Sequence, residues 1–237
     1  MVLRSKAPVP MSQNIKHYVT FFREFRRTFH TTGAILPSGQ QLAKATLTPF
    51  VRRSKPARVL EVGPGTGALT QEIVRHLRPG DVFDVVELNE RFVELLRKRF
   101  ATEPAFQQSA GLSQVHHLPI QDFVASEPYD FILCGLPFNN LPPRLVKDIF
   151  RHFNQLLAPQ GVLSFFEYLW IRRMSSLLSS RPERQRLARV GCILSWYLER
   201  YAFRHDTAFV NFPPAVVHHL RLNLDAQTLT SNDIVAA

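Results

Sequence analysis

The residues of this chain best suited to chemistry are Gly63, Gly65 and Gly67, with one acid just before them at Glu61 and another further on at Glu87. They belong to the run Arg58–Thr70, in which an apolar strand pattern gives way to a tight turn and then, from Ala68, to a helix. Glycine at alternate positions lets the backbone turn sharply and lets a ligand lie against main-chain N–H groups at the partially positive start of that helix. Glu87 closes a second apolar stretch, Val82–Val86, and a carboxylate placed there can accept hydrogen bonds from both hydroxyls of a ribose. This pattern predicts a site for a nucleotide or nucleoside.

The turn alone leaves the ligand open. Gly63-x-Gly65-x-x-Ala68 satisfies the loose dinucleotide fingerprint, and both nicotinamide enzymes and S-adenosylmethionine (SAM) enzymes use such an arrangement. Three features narrow the choice. Glu61 completes Glu-x-Gly-x-Gly-x-Gly, which resembles the first motif of the class I SAM-dependent methyltransferases. Asp122, within Leu118–Phe123, stands where that family places an acid beside the adenine amino group. After the apolar strand Tyr129–Leu133 comes Cys134-Gly135-Leu136-Pro137-Phe138, similar to the family motif that follows the fourth strand and flanks the methyl group. The resemblance implies an α/β, Rossmann-like fold with a seven-stranded, mostly parallel sheet, a terminal antiparallel hairpin and N-terminal amphipathic helices. It implies SAM as cofactor and S-adenosylhomocysteine as product. The cofactor set it implies is Glu61, Gly63, Gly65, Thr66, Gly67, Glu87, Leu88, Asp122, Phe123 and Gly135.

The elements that must position these residues follow from periodicity and punctuation. Residues 1–11 read as a flexible leader, and Ser12 as the cap of a helix to Phe29 whose apolar stripe is Ile15, Tyr18, Val19, Phe22, Phe25 and Phe29. Lys16, Arg23, Arg26 and Arg27 flank that stripe, which predicts a helix lying in a membrane interface with its rings among acyl chains; a helix that caps the sheet is the other reading. Ser38 opens a second helix, with Gln41 completing a capping box, that ends near Arg53. Residues 1–37 are thus a leader and lid, and 38–237 the methyltransferase domain. Further on, helices are predicted over Asn89–Phe100, Pro142–Leu157 and Tyr168–Leu178, and strands over Gln114–His117 and Gly161–Glu167. Cys192–Phe203 and Phe209–Leu222 read as a closing hairpin. Adjacent His116 and His117 point to opposite strand faces, which disfavours a metal pair. No metal site is expected.

Composition narrows the partners. The net charge is +10, but residues 1–56 hold ten Lys/Arg against Glu24 alone, while the remaining 19 basic and 18 acidic residues nearly cancel. An anionic partner, lipid or nucleic acid, is expected at the N-terminal part. Arg181, Arg184, Arg186 and Arg189 form a second basic stretch, read either as a solvated helix face or as phosphate contacts. Cys134 and Cys192 show no metal or disulfide spacing, and no apolar run reaches the length of a membrane-spanning helix or a secretory signal. The expected location is therefore the cytoplasm, peripherally on the inner face of the cytoplasmic membrane, as a monomer.

Phe25-Arg-Arg-Thr-Phe-x-Thr-Thr-Gly-Ala-Ile-Leu-Pro-Ser38 and Asn211–Val217 are similar to the entrance and the C-terminal strand of the bacterial phospholipid N-methyltransferases, which methylate phosphatidylethanolamine toward phosphatidylcholine. That resemblance implies a phospholipid substrate and direct transfer to an amine. Tyr18, Glu167 and Tyr168, with His30 less suited, are the candidate proton acceptors, and Phe138, Tyr18 and Tyr168 the aromatic faces for a methylammonium. Two alternatives stay open, a small-molecule methyltransferase and a ribosomal RNA adenine dimethylase. The dimethylases carry asparagine where this chain has Gly135, and they append a helical domain where Asn223–Ala237 follow the last strand here, so nucleic acid is the less favoured partner.

Overall fold

In a computed structural model, residues 37–168, 180–208 and 214–222 are described, all within one compact unit spanning residues 35–237. In chain order the elements are α1 (Pro37–Thr46), α2 (Thr48–Val51), β1 (Arg58–Val62), α3 (Ala68–His76), β2 (Val82–Glu87), α4 (Glu90–Thr102), α5 (Pro104–Gln107), β3 (Ser113–His117), β4 (Tyr129–Cys134), α6 (Pro143–Leu156), β5 (Leu157–Tyr168), α7 (Arg181–Tyr201), β6 (Ala202–Ala208) and β7 (Ala215–Leu220). The strands form one seven-stranded sheet in the order β3-β2-β1-β4-β5-β7-β6. Neighbours are parallel from β3 to β5, while β7 runs antiparallel to both β5 and β6. The predicted sheet with its terminal hairpin is what the chain builds.

Both faces of the sheet are covered, so the inner strands read as near-continuous apolar runs. On one face Val59, Phe83, Val85 and Leu133 pack with Ala43, Leu47, Phe50, Leu69, Ile73, Leu96 and Phe106 from the helices before and after β1 and β2. On the other, Phe165 meets Phe138 and Phe150, and Phe150 stacks on Tyr197 of α7 at 4.3 Å between ring centroids. β1 and β4 lie side by side, Val62 opposite Cys134, so the turns that follow them emerge together at the carboxyl edge.

Four sequence-based assignments change. Of the predicted strand Cys192–Phe203 only Ala202 and Phe203 are extended, as the start of β6: α7 runs unbroken through Cys192 to Tyr201, and Cys192 is exposed on it. Leu187, Val190, Ile193, Leu194 and Tyr197 are the buried positions, a helical spacing that outweighs the strand-like composition of Ile193, Trp196 and Tyr197. The capping box at Ser38 does not define the start of its helix, because α1 is already formed at Pro37 and Ser38 lies inside it. β5 begins at Leu157 rather than Gly161, but its register slips between Tyr129↔Leu157 and Phe131↔Val162. Gln160, at φ 81°, breaks the strand there, and regular pairing resumes at Val162. The predicted helix over Tyr168–Leu178 begins at a strand residue, and its remainder lies outside the described residues, as do the leader, the N-terminal amphipathic helix, Tyr18 and His30.

The hairpin is tied to β5 by a buried polar group. His219, fully buried, pairs its Nδ1 with Ser164 Oγ at 2.8 Å and its Nε2 with Asp206 Oδ2 at 3.2 Å, while Arg204 grips the same carboxylate. Burial pushes the His219 imidazole down to about 4, although Asp206 pulls the other way. A folded state that binds this proton less readily than the unfolded chain loses stability as pH falls from 6.5 toward 4, by an amount on the order of 3 kcal/mol. Glu61, raised to about 8, works in the opposite sense between 8 and 4.5. The expected result is that His219→Gln flattens the loss of thermal stability between pH 6.5 and 4.5. A melting-temperature series with the same slope in both proteins would show that another group drives it.

Candidate active site

The site stands at the carboxyl ends of β1, β2 and β4, where ligands of open α/β sheets bind. Gly63, Gly65 and Gly67 have φ of 72°, 59° and 86°, left-handed backbone that side chains disfavour, and Gly67 is the N-cap of α3. A side chain at Gly65 would meet nothing nearer than 4.0 Å, which leaves the middle of the turn open. Gly135 is the reverse case. Its N–H donates to Val62 O at 2.8 Å, and a Cβ there would lie 2.6 Å from Gly63 O. Only a hydrogen fits between the turn after β1 and the turn after β4.

Glu87 ends β2 beside this turn and is 8% exposed; its Oε2 accepts from Gly65 N at 3.2 Å and its Oε1 from Asn89 N at 2.7 Å. A carboxylate has about four acceptor sites, so a ribose can share it with the loop amides. Leu88, half-buried, follows it and accepts from His117 through its carbonyl. Glu61 is fully buried one strand away, and neither of its oxygens makes a hydrogen bond of good geometry among the described residues; Thr70 is the polar group that faces it. Burial pushes the Glu61 carboxyl up to about 8, with Glu87 adding to the rise and the Thr70 groups opposing it. A fully buried carboxyl without a good-geometry partner among the described residues, set under a left-handed glycine turn, is a group whose charged form a cationic ligand group nearby would favour. Thr66 is exposed at the turn, and Asp122 is exposed on the 3₁₀ turn Ile120–Asp122, with Phe123 buried behind it against His116 and Tyr129. The residues present fit an adenosine-bearing cation.

The candidates for the reacting end fare differently. Glu167 lies near the end of β5, beyond the point where Phe165 pairs with Cys134, and its Oε2 is 3.3 Å from His218 Nε2. Tyr168 is the next residue on the strand and therefore points to the opposite face, where it packs with Phe166 and Leu42 and burial raises its phenol. The two cannot serve one reacting atom from the same side of the sheet. Phe138 is 3% exposed and sits edge-on to Phe165 at 5.3 Å and tilted on Phe150 at 5.0 Å. Its ring is core beneath the site, so it offers no open face to a cation.

Sequence reasoning missed two arginines that shape the loops. Arg99 of α4 donates from Nη1 to Thr66 O and Gly67 O, each at 3.1 Å, while Glu103 and Gln71 hold its other nitrogens. Arg186 of α7, grouped with the basic stretch, donates to Leu141 O and Asn139 O, both at 2.8 Å, and pairs with Glu183. It clamps the loop after Phe138 to α7. Arg186→Ala is expected to leave SAM affinity within about threefold and to lower turnover about tenfold, since a displaced loop misplaces the acceptor. Equal losses in binding and turnover, measured by calorimetry and steady-state rates, would contradict that division. His116 also proves more than a strand-end residue, with Nε2 2.6 Å from Asp84 Oδ1, whose other oxygen accepts from Tyr129.

Known proteins repeat this organisation. A methyltransferase domain model matches residues 60–163. An ornithine lipid N-methyltransferase of Singulisphaera acidiphila is 31% identical over 160 residues, 66% of this chain and 81% of that protein. A ribosomal RNA small subunit methyltransferase A of Parasynechococcus marenigrum is 40% identical over 90 residues, which are 37% of this chain and 28% of the other. Among solved structures, the fold is shared with the N-methyltransferase NodS of Bradyrhizobium japonicum in complex with S-adenosylhomocysteine, at 15% identity, 79% and 88% coverage and a TM-score of 0.52. It is shared too with an O-methyltransferase of Bacillus cereus, at 13% identity, 85% and 90% coverage and a TM-score of 0.56. The chain therefore belongs to the class I SAM-dependent methyltransferases, and SAM is its cofactor.

Proposed function

We propose that this enzyme transfers methyl groups from SAM to the amine of an aminolipid, phosphatidylethanolamine or its partly methylated forms. The observation that carries this reading is Gly135 pressed against Gly63 O. The ribosomal RNA dimethylases place an asparagine in this motif for the adenine amine, and here no side chain fits. The similarity to an ornithine lipid N-methyltransferase, which extends over 81% of that protein, supports a lipid amine, whereas the similarity to the ribosomal RNA enzyme is confined to 28% of its length.

SAM supplies a methyl on a positively charged sulfur. The rest falls to the chain. The turn Gly63–Gly67 would hold the methionine end with the buried Glu61 beneath it, Glu87 would take the ribose, and Asp122 and Phe123 would border the adenine. An ethanolamine ammonium has no lone pair to offer, so one proton leaves before each transfer. Glu167 is the carboxylate we assign to take it. Arg144, Arg181, Arg184 and Arg189 are exposed on α6 and α7, and Arg186 ties α7 to the loop after Phe138, so cations for a lipid phosphate border the site. Among the described residues no helix is long and apolar enough to cross a membrane, and the stripe of residues 12–29 is assigned the role of holding the enzyme at the lipid surface.

Removing residues 1–30 is expected to leave a folded protein that binds SAM but no longer floats with vesicles containing anionic lipid. Salt is expected to weaken the flotation of the full chain. A truncated protein that precipitates would favour a helix that caps the sheet.

A further inference from the structure

We infer that Glu167, His218 and His205 form a proton exit from the candidate active site to the surface. Glu167 Oε2 lies 3.3 Å from His218 Nε2, and His218 Nδ1 lies 2.8 Å from His205 Nδ1. The side chains of Glu167 and His218 are 17% and 10% exposed, whereas His205 is exposed on β6, the last strand of the sheet. The three groups thus step from the end of β5 across β7 to the sheet edge, on the face that Phe165 shares with Phe138.

The chemistry of amine methylation calls for such a path. A protonated amine and SAM give a methylated ammonium, S-adenosylhomocysteine and one free proton. Each further methyl on the same nitrogen releases another, beneath a lipid that excludes water. The chain of groups accounts for that proton without change in any other bond. Protonated Glu167 gives its proton to His218 Nε2, His218 gives the proton on Nδ1 to His205 Nδ1, and His205 gives the proton on Nε2 to water. Afterwards Glu167 is a carboxylate accepting from His218 Nε2–H, and His205 Nδ1–H donates to His218 Nδ1, which satisfies every contact in the structure.

His205 is lowered by burial and by His218, against the pull of Asp206. The helix that covers this face brings the phenols Tyr197 and Tyr201, both raised by burial and so protonated at neutral pH. His219 and Asp206 form their own pair, toward Ser164 on the opposite face of β5 from Phe165. A purely structural reading, in which the histidines only tie β6 to β5, predicts no dependence on small proton carriers.

The inference rests on the lipid-amine reading, and the test separates the two. Label from SAM is measured in phosphatidylethanolamine vesicles, at low buffer concentration and again with added imidazole, for wild type, His205→Ala, His205→Asn and His218→Gln. With wild type labelling the lipid, both His205 variants are expected to lose turnover about tenfold at low buffer, with SAM affinity and lipid KM unchanged. Imidazole restores them, because the lost group is exposed. His218→Gln loses turnover similarly and is not restored. His205 variants that match wild type at every buffer concentration, or that imidazole does not rescue, overturn the exit while leaving the function standing. A wild type that labels no lipid amine overturns the function, and the exit with it.

Discussion

Replacing Glu87 with alanine is expected to weaken SAM binding about 100-fold, the loss of two charge-assisted hydrogen bonds from the ribose. The carboxylate does more than wait for a ligand, since it already accepts from Gly65 N and Asn89 N. Its removal therefore also frees the glycine turn. Glu87→Gln separates the two effects: one acceptor and the shape remain, so the loss is expected to be smaller. Calorimetry on the purified variants gives the answer, and an alanine variant with wild-type affinity would remove Glu87 from the site.

The second large effect is expected at Gly135. A methyl group there lies 2.6 Å from Gly63 O, 3.5 Å from Gly63 C and 3.7 Å from Val62 O, all backbone atoms that no rotamer change can move aside. Gly135→Ala is expected to force the turn after β4 away from the turn after β1, destabilising the fold by about 1–3 kcal/mol. Because the displaced atoms belong to the glycine turn, SAM affinity is expected to fall at least tenfold with it. Gly111, where a Cβ meets nothing within 4 Å, is the control, and Gly111→Ala is expected to change neither quantity. A Gly135→Ala protein with normal melting temperature and normal affinity would mean that the two turns are not rigidly joined.

What the sequence disclosed of this site was what is local in it. β1, the glycine turn, α3 and the acid ending β2 were legible because strand period, positive-φ glycine and helix period follow one another within a few residues. What it concealed depends on distant partners. Arg186 reads as one more surface cation until its contacts with Asn139 and Leu141 are seen, and Arg99 reads as a helix-face residue until it meets Thr66 and Gly67. The path from Glu167 through His218 to His205 requires the pairing of β5, β7 and β6, which strand patterns alone do not order. Composition misled at Cys192–Phe203, where aromatic and β-branched residues concealed a helical spacing of buried positions. Phe138 and Tyr168 show a third limit, for an aromatic residue beside a site motif is as readily core as lining.

The lipid-amine assignment is tested most directly by methyl transfer from labelled SAM, with phosphatidylethanolamine vesicles, ornithine lipid vesicles and ribosomal RNA offered in parallel. The expected result is label in phosphatidylethanolamine, distributed among its mono-, di- and trimethylated forms. Label in ornithine lipid alone would keep the lipid amine and change the headgroup. Label in RNA with none in either lipid would contradict the assignment and make the basic N-terminal stretch a nucleic-acid contact.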